Sequence, residues 1–250
     1  MALQGREASE PTRLPQQAKY KWEEMTPGEL TAVVATSPVA YVPLGLLEWH
    51  GNHLPLGTDF LKITGICLEV ARRTGGVVLP PTFYGRPGFG SFTGTLVFSE
   101  ELIDRLLTEL LEQLEKCGFR VIVLLTGHYG PVQVGSVKGA AARFAARSRA
   151  KVIAQPEYEG IDPPPADHAG KWETSFSQAL YPGLVQMDRF APGTCPIDRY
   201  DERHASFDAE RVPWVWKEDL RETSSAEEGR SMIARIADRV AGLVEEALAE

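Results

Sequence analysis

The chain has 250 residues, 43% of them hydrophobic, and 34 acidic against 26 basic side chains give a formal net charge of −8. That length can bury a sizeable core, while the acidic balance and a pI near 5.3 argue against nucleic acid or an anionic membrane as the main partner. Cys67, Cys117 and Cys195 are odd in number, far apart and without a C-x-x-C pairing, so neither a disulfide framework nor a zinc ribbon is indicated; without a membrane-length apolar run or a signal-peptide core, a cytoplasmic setting is expected.

Residues 1–18 are polar and unpatterned and read as a flexible tail, leaving 19–250 as a single domain. Thr26-Pro27-Gly28-Glu29 is a helix start, with Thr26 as cap, Pro27 in the first helical position and Glu29 completing a capping box. The apolar run at 38–45 predicts a buried strand, and Glu48-Trp49-His50-Gly51-Asn52-His53 follows it, with Asp59 shortly after. A second strand at 77–80 leads into the segment 84–95, where Gly85, Gly88, Gly90 and Gly94 alternate with aromatic residues. Its spacing matches neither a Walker loop nor a dinucleotide fingerprint, and it reads as the flexible wall of a site.

Leu102, Ile103, Leu106, Leu107, Leu110, Leu111 and Leu114 recur at helical spacing, predicting a helix over 100–117 that stops at Gly118, the leucine stripe being core. The strand at 121–125 runs into Thr126-Gly127-His128-Tyr129-Gly130, where the glycines allow His128 to swing over the sheet edge. Then come an alanine-rich helix over 133–148, a strand at 151–155, the segment Asp167-His168-Ala169-Gly170-Lys171-Trp172-Glu173-Thr174-Ser175, and a helix over 226–249. Strands alternating with helices imply an α/β fold, a three-layer α/β/α arrangement around a mainly parallel sheet.

Histidine-bearing loops at strand ends or helix starts fall where open α/β sheets bind ligands. Glu48 and His50, two apart in extended backbone, point to one side. With Asp59 as a second carboxylate they suit Zn, Mn or Fe better than Ca²⁺, which prefers all-oxygen shells.

Four motifs in order resemble the creatininase family of metal-dependent amidohydrolases. Glu48 through Asp59 matches its glutamate-x-histidine-glycine-x-histidine-leucine-proline-leucine run ending in threonine-aspartate. Phe92-Thr93-Gly94-Thr95 is similar to its phenylalanine-proline-glycine-threonine turn, Gly127-His128-Tyr129 to its glycine-histidine motif, and His168 through Ser175 to its histidine-alanine-glycine-x-x-glutamate-threonine-serine motif. The resemblance covers roughly residues 25–190.

That resemblance implies a creatininase-like catalytic domain with two divalent metal ions, held by Glu48, His50, Asp59 and His128, with Asp59 bridging. His168 and Glu173 would act at the substrate or second metal, Glu173 as a catalytic group or a ligand. A water bridging two ions becomes a strong nucleophile near neutral pH, and His168 is then the natural acid for the leaving nitrogen. Trp49, His53, Thr95, Tyr129 and Trp172 are the expected substrate contacts, although the aromatic ones would serve equally as core. The family also implies a homo-oligomer, commonly a hexamer, and residues near 190–225, including Trp214 and Trp216, are candidates to cover a neighbour.

Two departures bear on the substrate. Creatininase itself resembles this chain at the middle motif but has a glutamate, a ligand of the second metal, where Gly130 stands here; Glu173 is the candidate to close that position. The 84–95 loop lacks the histidine that many members carry. The expected activity is hydrolysis of a C–N amide bond in a small molecule, whether cyclic amide, lactam or formamide. The alternatives are hydrolysis of a cyclic ketone or a modified peptide, and an inactive metal or small-ligand binding protein; the latter is disfavoured because every candidate ligand and acid–base residue is retained.

Overall fold

The computed structural model describes residues 19–90, 92–194 and 215–250; the expected tail at 1–18, Ser91, Cys195 and Trp214 lie outside them. Four parallel strands, β1 (Val39–Leu44), β2 (Val77–Val78), β3 (Val121–Thr126) and β4 (Lys151–Pro156), form a sheet of order β2-β1-β3-β4. The helices are α1 (Pro27–Thr36), α2 (Thr58–Thr74), α3 (Glu100–Lys116), α4 (Pro131–Ala145), α5 (Lys171–Leu180), α6 (Leu220–Thr223) and α7 (Ala226–Ala249). A short antiparallel pair, β5 (Gly193–Thr194) and β6 (Val215–Trp216), stands apart from the main sheet.

Alternation along the strands sorts the core into two layers. Val39 and Tyr41 of β1 and Val121, Val123 and Leu125 of β3 face α2, α5 and α7. Ala40, Val42 and Leu44 with Ile122 and Leu124 face α3 and α4, with α1 packed at the margin. Both central strands are buried on both faces, so their sequences are continuously apolar. The result is the expected three-layer α/β/α architecture. None of the described helices is long and apolar enough to cross a membrane.

Local chemistry accounts for the element limits. Thr26 accepts a hydrogen bond from the Glu29 N–H while the Glu29 carboxylate accepts from the Thr26 N–H, completing the capping box. The second strand ends at Val78, short of the expected residue 80, because Pro80 and Pro81 cannot donate to a ladder. The alanine-rich helix starts two residues early, since Pro131 loses nothing in a first turn, and ends at Ala145. Gly118, at φ +96°, closes α3. Two helices that the pattern did not delineate, α2 and α5, carry the segments holding Asp59 and Glu173.

Two glycines determine where α2 sits. A Cβ on Gly45, just past β1, would lie 2.3 Å from the Phe60 nitrogen, and one on Gly127, just past β3, would lie 2.4 Å from the Asp59 carbonyl oxygen. Only glycine lets the first turn of α2 rest directly on the ends of the two central strands. A similar approach joins α7 to α5, where a Cβ on Gly229 would meet the Ser175 carbonyl oxygen at 2.1 Å; Gly242 on the same helix has open space. Gly229→Ala is therefore expected to lower stability by about 1–3 kcal/mol through overpacking. Gly242→Ala should be neutral or raise stability by up to about 1 kcal/mol through helix propensity. Urea unfolding of both variants checks the contrast.

Candidate metal centre

Five short segments meet at the carboxyl edge of the sheet. The chain leaving β1 supplies Glu48 and His50, the chain leaving β3 supplies His128, and the first turn of α2 supplies Asp59. The loop before α5 brings His168 and the first turn of α5 brings Glu173. Glu48, His50, Asp59 and Glu173 are at most 1% exposed. The two residues in helix first turns also place carboxylates where the helix dipole favours negative charge.

Asp59 is the centre of the arrangement. Its Oδ1 lies 3.2 Å from His50 Nε2, and its Oδ2 lies 3.4 Å from His128 Nδ1. His128 Nδ1 is also 2.9 Å from Glu48 Oε2, and His50 Nε2 is 3.4 Å from Glu173 Oε2. Two three-residue groups, Glu48–Asp59–His128 and His50–Asp59–Glu173, thus share one aspartate, and Glu48, His50 and His168 form a third.

These donors suit divalent ions. Glu48 Oε2, His50 Nε2 and Asp59 Oδ2 are buried without a hydrogen-bond partner, despite their close approach. Atoms bound to one ion at about 2.1 Å stand about 3.0–3.4 Å apart in octahedral or tetrahedral geometry, similar to the spacings here. The tautomer of His50 is also set for it, because Nδ1–H donates to the Glu48 carbonyl at 2.9 Å and leaves Nε2 as the donor atom.

Charge tells the same story. Among the described residues, Glu48, Asp59, Glu157 and Glu173 are buried together with a single ammonium, Lys62. Burial alone would lower the histidine pKa values, yet Glu48 and Asp59 push His128 up to about 10. Likewise Glu173 and Asp59 hold His50 well above its ordinary value against its burial. Burial also opposes ionisation of Glu173, but Lys62 and His50 outweigh it and draw its pKa to about 2. The cluster is short of positive charge.

Glu48, His168 and Glu173 each have an orienting partner from a neighbouring loop. Glu48 Oε1 accepts from the N–H groups of Gly88 and Phe89, at 2.8 and 3.1 Å. The glycine-rich segment is therefore a clamp on Glu48 as well as a wall. His168 Nε2–H donates to the Trp49 carbonyl at 2.8 Å, and its ring stacks on Phe89 at 4.0 Å between centroids. Ala169 holds a left-handed φ of 49°, costly for a residue with a Cβ. In that conformation its N–H donates to Glu173 Oε2 and its carbonyl accepts from Trp216 Nε1–H. The ring of His128 lies against Gly130, where a Cβ would come within 2.4 Å of Nε2; any larger residue at 130 requires the histidine to move.

The expected substrate contacts are placed variously. Trp49 is buried in an aromatic cluster with Phe89, Phe92, Phe190 and Trp216 above the site. Thr95 accepts the Trp49 N–H. His53 lies outside the three ligand groups, packed edge-on to Phe190 and Trp216 with Nε2 3.2 Å from Thr174 Oγ1, and burial holds it neutral with a pKa of about 4. Tyr129 points its hydroxyl at Lys62 and Glu157, and Trp172 packs against the layer of α2, α5 and α7. Sequence reasoning missed Lys62 and Glu157. Glu157 was legible, since it directly follows the carboxyl end of β4 as His128 follows that of β3; Lys62 stands three residues after Asp59 on one helix face, a signal only once α2 is known.

A family model described as creatininase, creatinine amidohydrolase, matches residues 23–244. The creatinine amidohydrolase of Pseudomonas putida is 29% identical over 252 residues, covering 88% of this chain and 95% of its own. A mycofactocin precursor peptide peptidase of Mycolicibacterium smegmatis is 31% identical, covering 81% of this chain and 84% of its own. The solved manganese form of creatininase superposes with a TM-score of 0.74 at 27% identity, over 92% of this chain and 98% of that one. With a family match across nearly all the described residues, and a sheet edge that carries that family's motifs side by side, the chain belongs to the creatininase family of amidohydrolases.

Proposed function

We propose that this protein is a metal-dependent hydrolase that cleaves a carbon–nitrogen bond in a small molecule, with two divalent ions sharing Asp59. The observation that carries the reading is the split of the Asp59 carboxylate, one oxygen toward His50 and the other toward His128. Glu48, Asp59 and His128 would hold one ion, and His50, Asp59 and Glu173 the other. Mixed imidazole and carboxylate donors favour Zn, Mn or Fe. Such ions would supply a Lewis acid for the scissile carbonyl and lower the pKa of a water at the site.

The chain's own groups manage the proton. Hydrolysis joins the water oxygen to the carbonyl carbon, breaks the C–N bond and requires a proton on the departing nitrogen. Burial, then the nearby His50, lower His168 to about 4, so its imidazole is neutral at rest. The proton it delivers therefore originates on the attacking water. With Nε2–H donated to the Trp49 carbonyl, Nδ1 is the nitrogen that would carry it. The aromatic cluster around Trp49 and Phe89 is the apolar surface that supports a compact substrate, a cyclic amide, lactam or formamide, over an extended peptide.

Metal analysis should find one to two equivalents of Zn, Mn or Fe per chain, and Asp59→Ala should remove most of both. Full metal content in that variant would overturn the shared-carboxylate arrangement.

Turnover of an unactivated amide by His168→Ala should fall by about 10²–10⁴-fold, the usual worth of a positioned acid–base group, with near-normal metal content. The deficit should shrink for an activated ester, whose leaving group needs little protonation. Loss of metal along with activity would instead make His168 a ligand beside Glu48 and His50.

A further inference from the structure

Lys62 is 1% exposed, and no step of the proposed chemistry uses it. Its ammonium lies 2.8 Å from Glu173 Oε1, 2.9 Å from Glu157 Oε1 and 2.7 Å from the Tyr129 hydroxyl. An ammonium has three protons and no lone pair, so these three oxygens saturate it and fix its place. The Tyr129 hydroxyl donates in turn to Glu157 Oε1 at 2.8 Å, closing a ring of contacts among α2, the end of β4 and the residue after His128.

The consequence falls on Glu173. Lys62 occupies Oε1 while the Ala169 N–H binds Oε2, so the carboxylate is held from both sides and presents Oε2 to His50. Glu48 is held on the same plan, one oxygen clamped by backbone N–H groups and the other turned to His128. The difference is that Glu173 is clamped by a charge, and a charge buried at that depth needs a counter-ion. Glu157 supplies it. We propose that Lys62 is a positioning residue, paired with Glu157, which fixes the Glu173 carboxylate and thereby sets the affinity of the His50–Asp59–Glu173 ion position, while the Glu48–Asp59–His128 position is independent of it.

This inference rests on the two-ion reading above, and the test separates the two. Removing Lys62 alone would leave two carboxylates unpaired and draw cations electrostatically, which confuses orientation with charge. The double variant Lys62→Met, Glu157→Gln removes one charge of each sign, keeps side-chain volume, and leaves a glutamine amide for Tyr129. Zn²⁺ and Mn²⁺ affinities would be measured by competition with a chromophoric chelator, with Glu173→Gln and His128→Ala marking which step belongs to which position. The expected result is a weakening by about 10–100-fold at the step that Glu173→Gln removes, the usual loss when a ligand's outer partner is lost, with the other step changed less than about threefold.

Unchanged or tighter binding at the Glu173 step, or equal weakening at both steps, would overturn the positioning role. Absence of any divalent binding by the unaltered protein would overturn the two-ion reading itself. Should the double variant fail to fold, Tyr129→Phe removes one of the three Lys62 contacts and no charge; it should weaken the Glu173 step selectively, and equal or no effect on the two steps would again overturn the proposal.

Discussion

The whole site depends on one close approach of backbone to backbone. The first turn of α2 rests on Gly45 and Gly127, the residues that leave the two central strands. No side chain fits between these chains, so α2 starts directly above the gap between β1 and β3, and Asp59 enters that gap with one oxygen toward each strand's loop. Everything else is arranged around that carboxylate. Glu48 and His50 reach it from one loop, His128 from the other, and α5, pressed against α7 at Gly229, brings Glu173 from the side.

Such a gathering of charge is expensive to fold. Among the described residues, four buried carboxylates with one ammonium leave an excess of negative charge that the apolar layers on either side cannot solvate. The pKa values of His50 and His128 respond, raised by Glu48, Asp59 and Glu173 against the effect of burial. Divalent ions binding at those positions would supply positive charge and stabilise the native state by mass action. The fold is therefore a scaffold whose core, strong on both faces of the sheet, offsets an unfavourable edge.

Rigidity at that edge comes from groups outside the ligand set. Backbone N–H groups of the glycine-rich loop hold Glu48, Lys62 and Ala169 hold Glu173, and the Glu48 carbonyl sets the tautomer of His50. Phe89 and the Trp49 carbonyl fix the plane of His168. The left-handed turn at Ala169 is the local strain that allows one residue to serve both Glu173 and Trp216. At Gly130 the His128 ring fills the room that a Cβ would take.

Much of this was legible in the sequence alone. Apolar runs over β1 and β3 announced strands buried on both faces, the Thr26 capping box announced a helix start, and motif order identified the family together with the residues that converge at the sheet edge. These signals are local, a few residues of pattern with a physical cause close by in the chain. What tertiary structure decided was pairing: which carboxylate oxygen faces which imidazole, that the glycine-rich segment clamps Glu48, that Tyr129 turns toward Lys62, and that Lys62, distant in sequence from both, lies between Glu173 and Glu157. A buried lysine in a helical stretch looks like any surface lysine until three elements have been packed around it, because its burial depends on counter-charges whose proximity only the fold supplies.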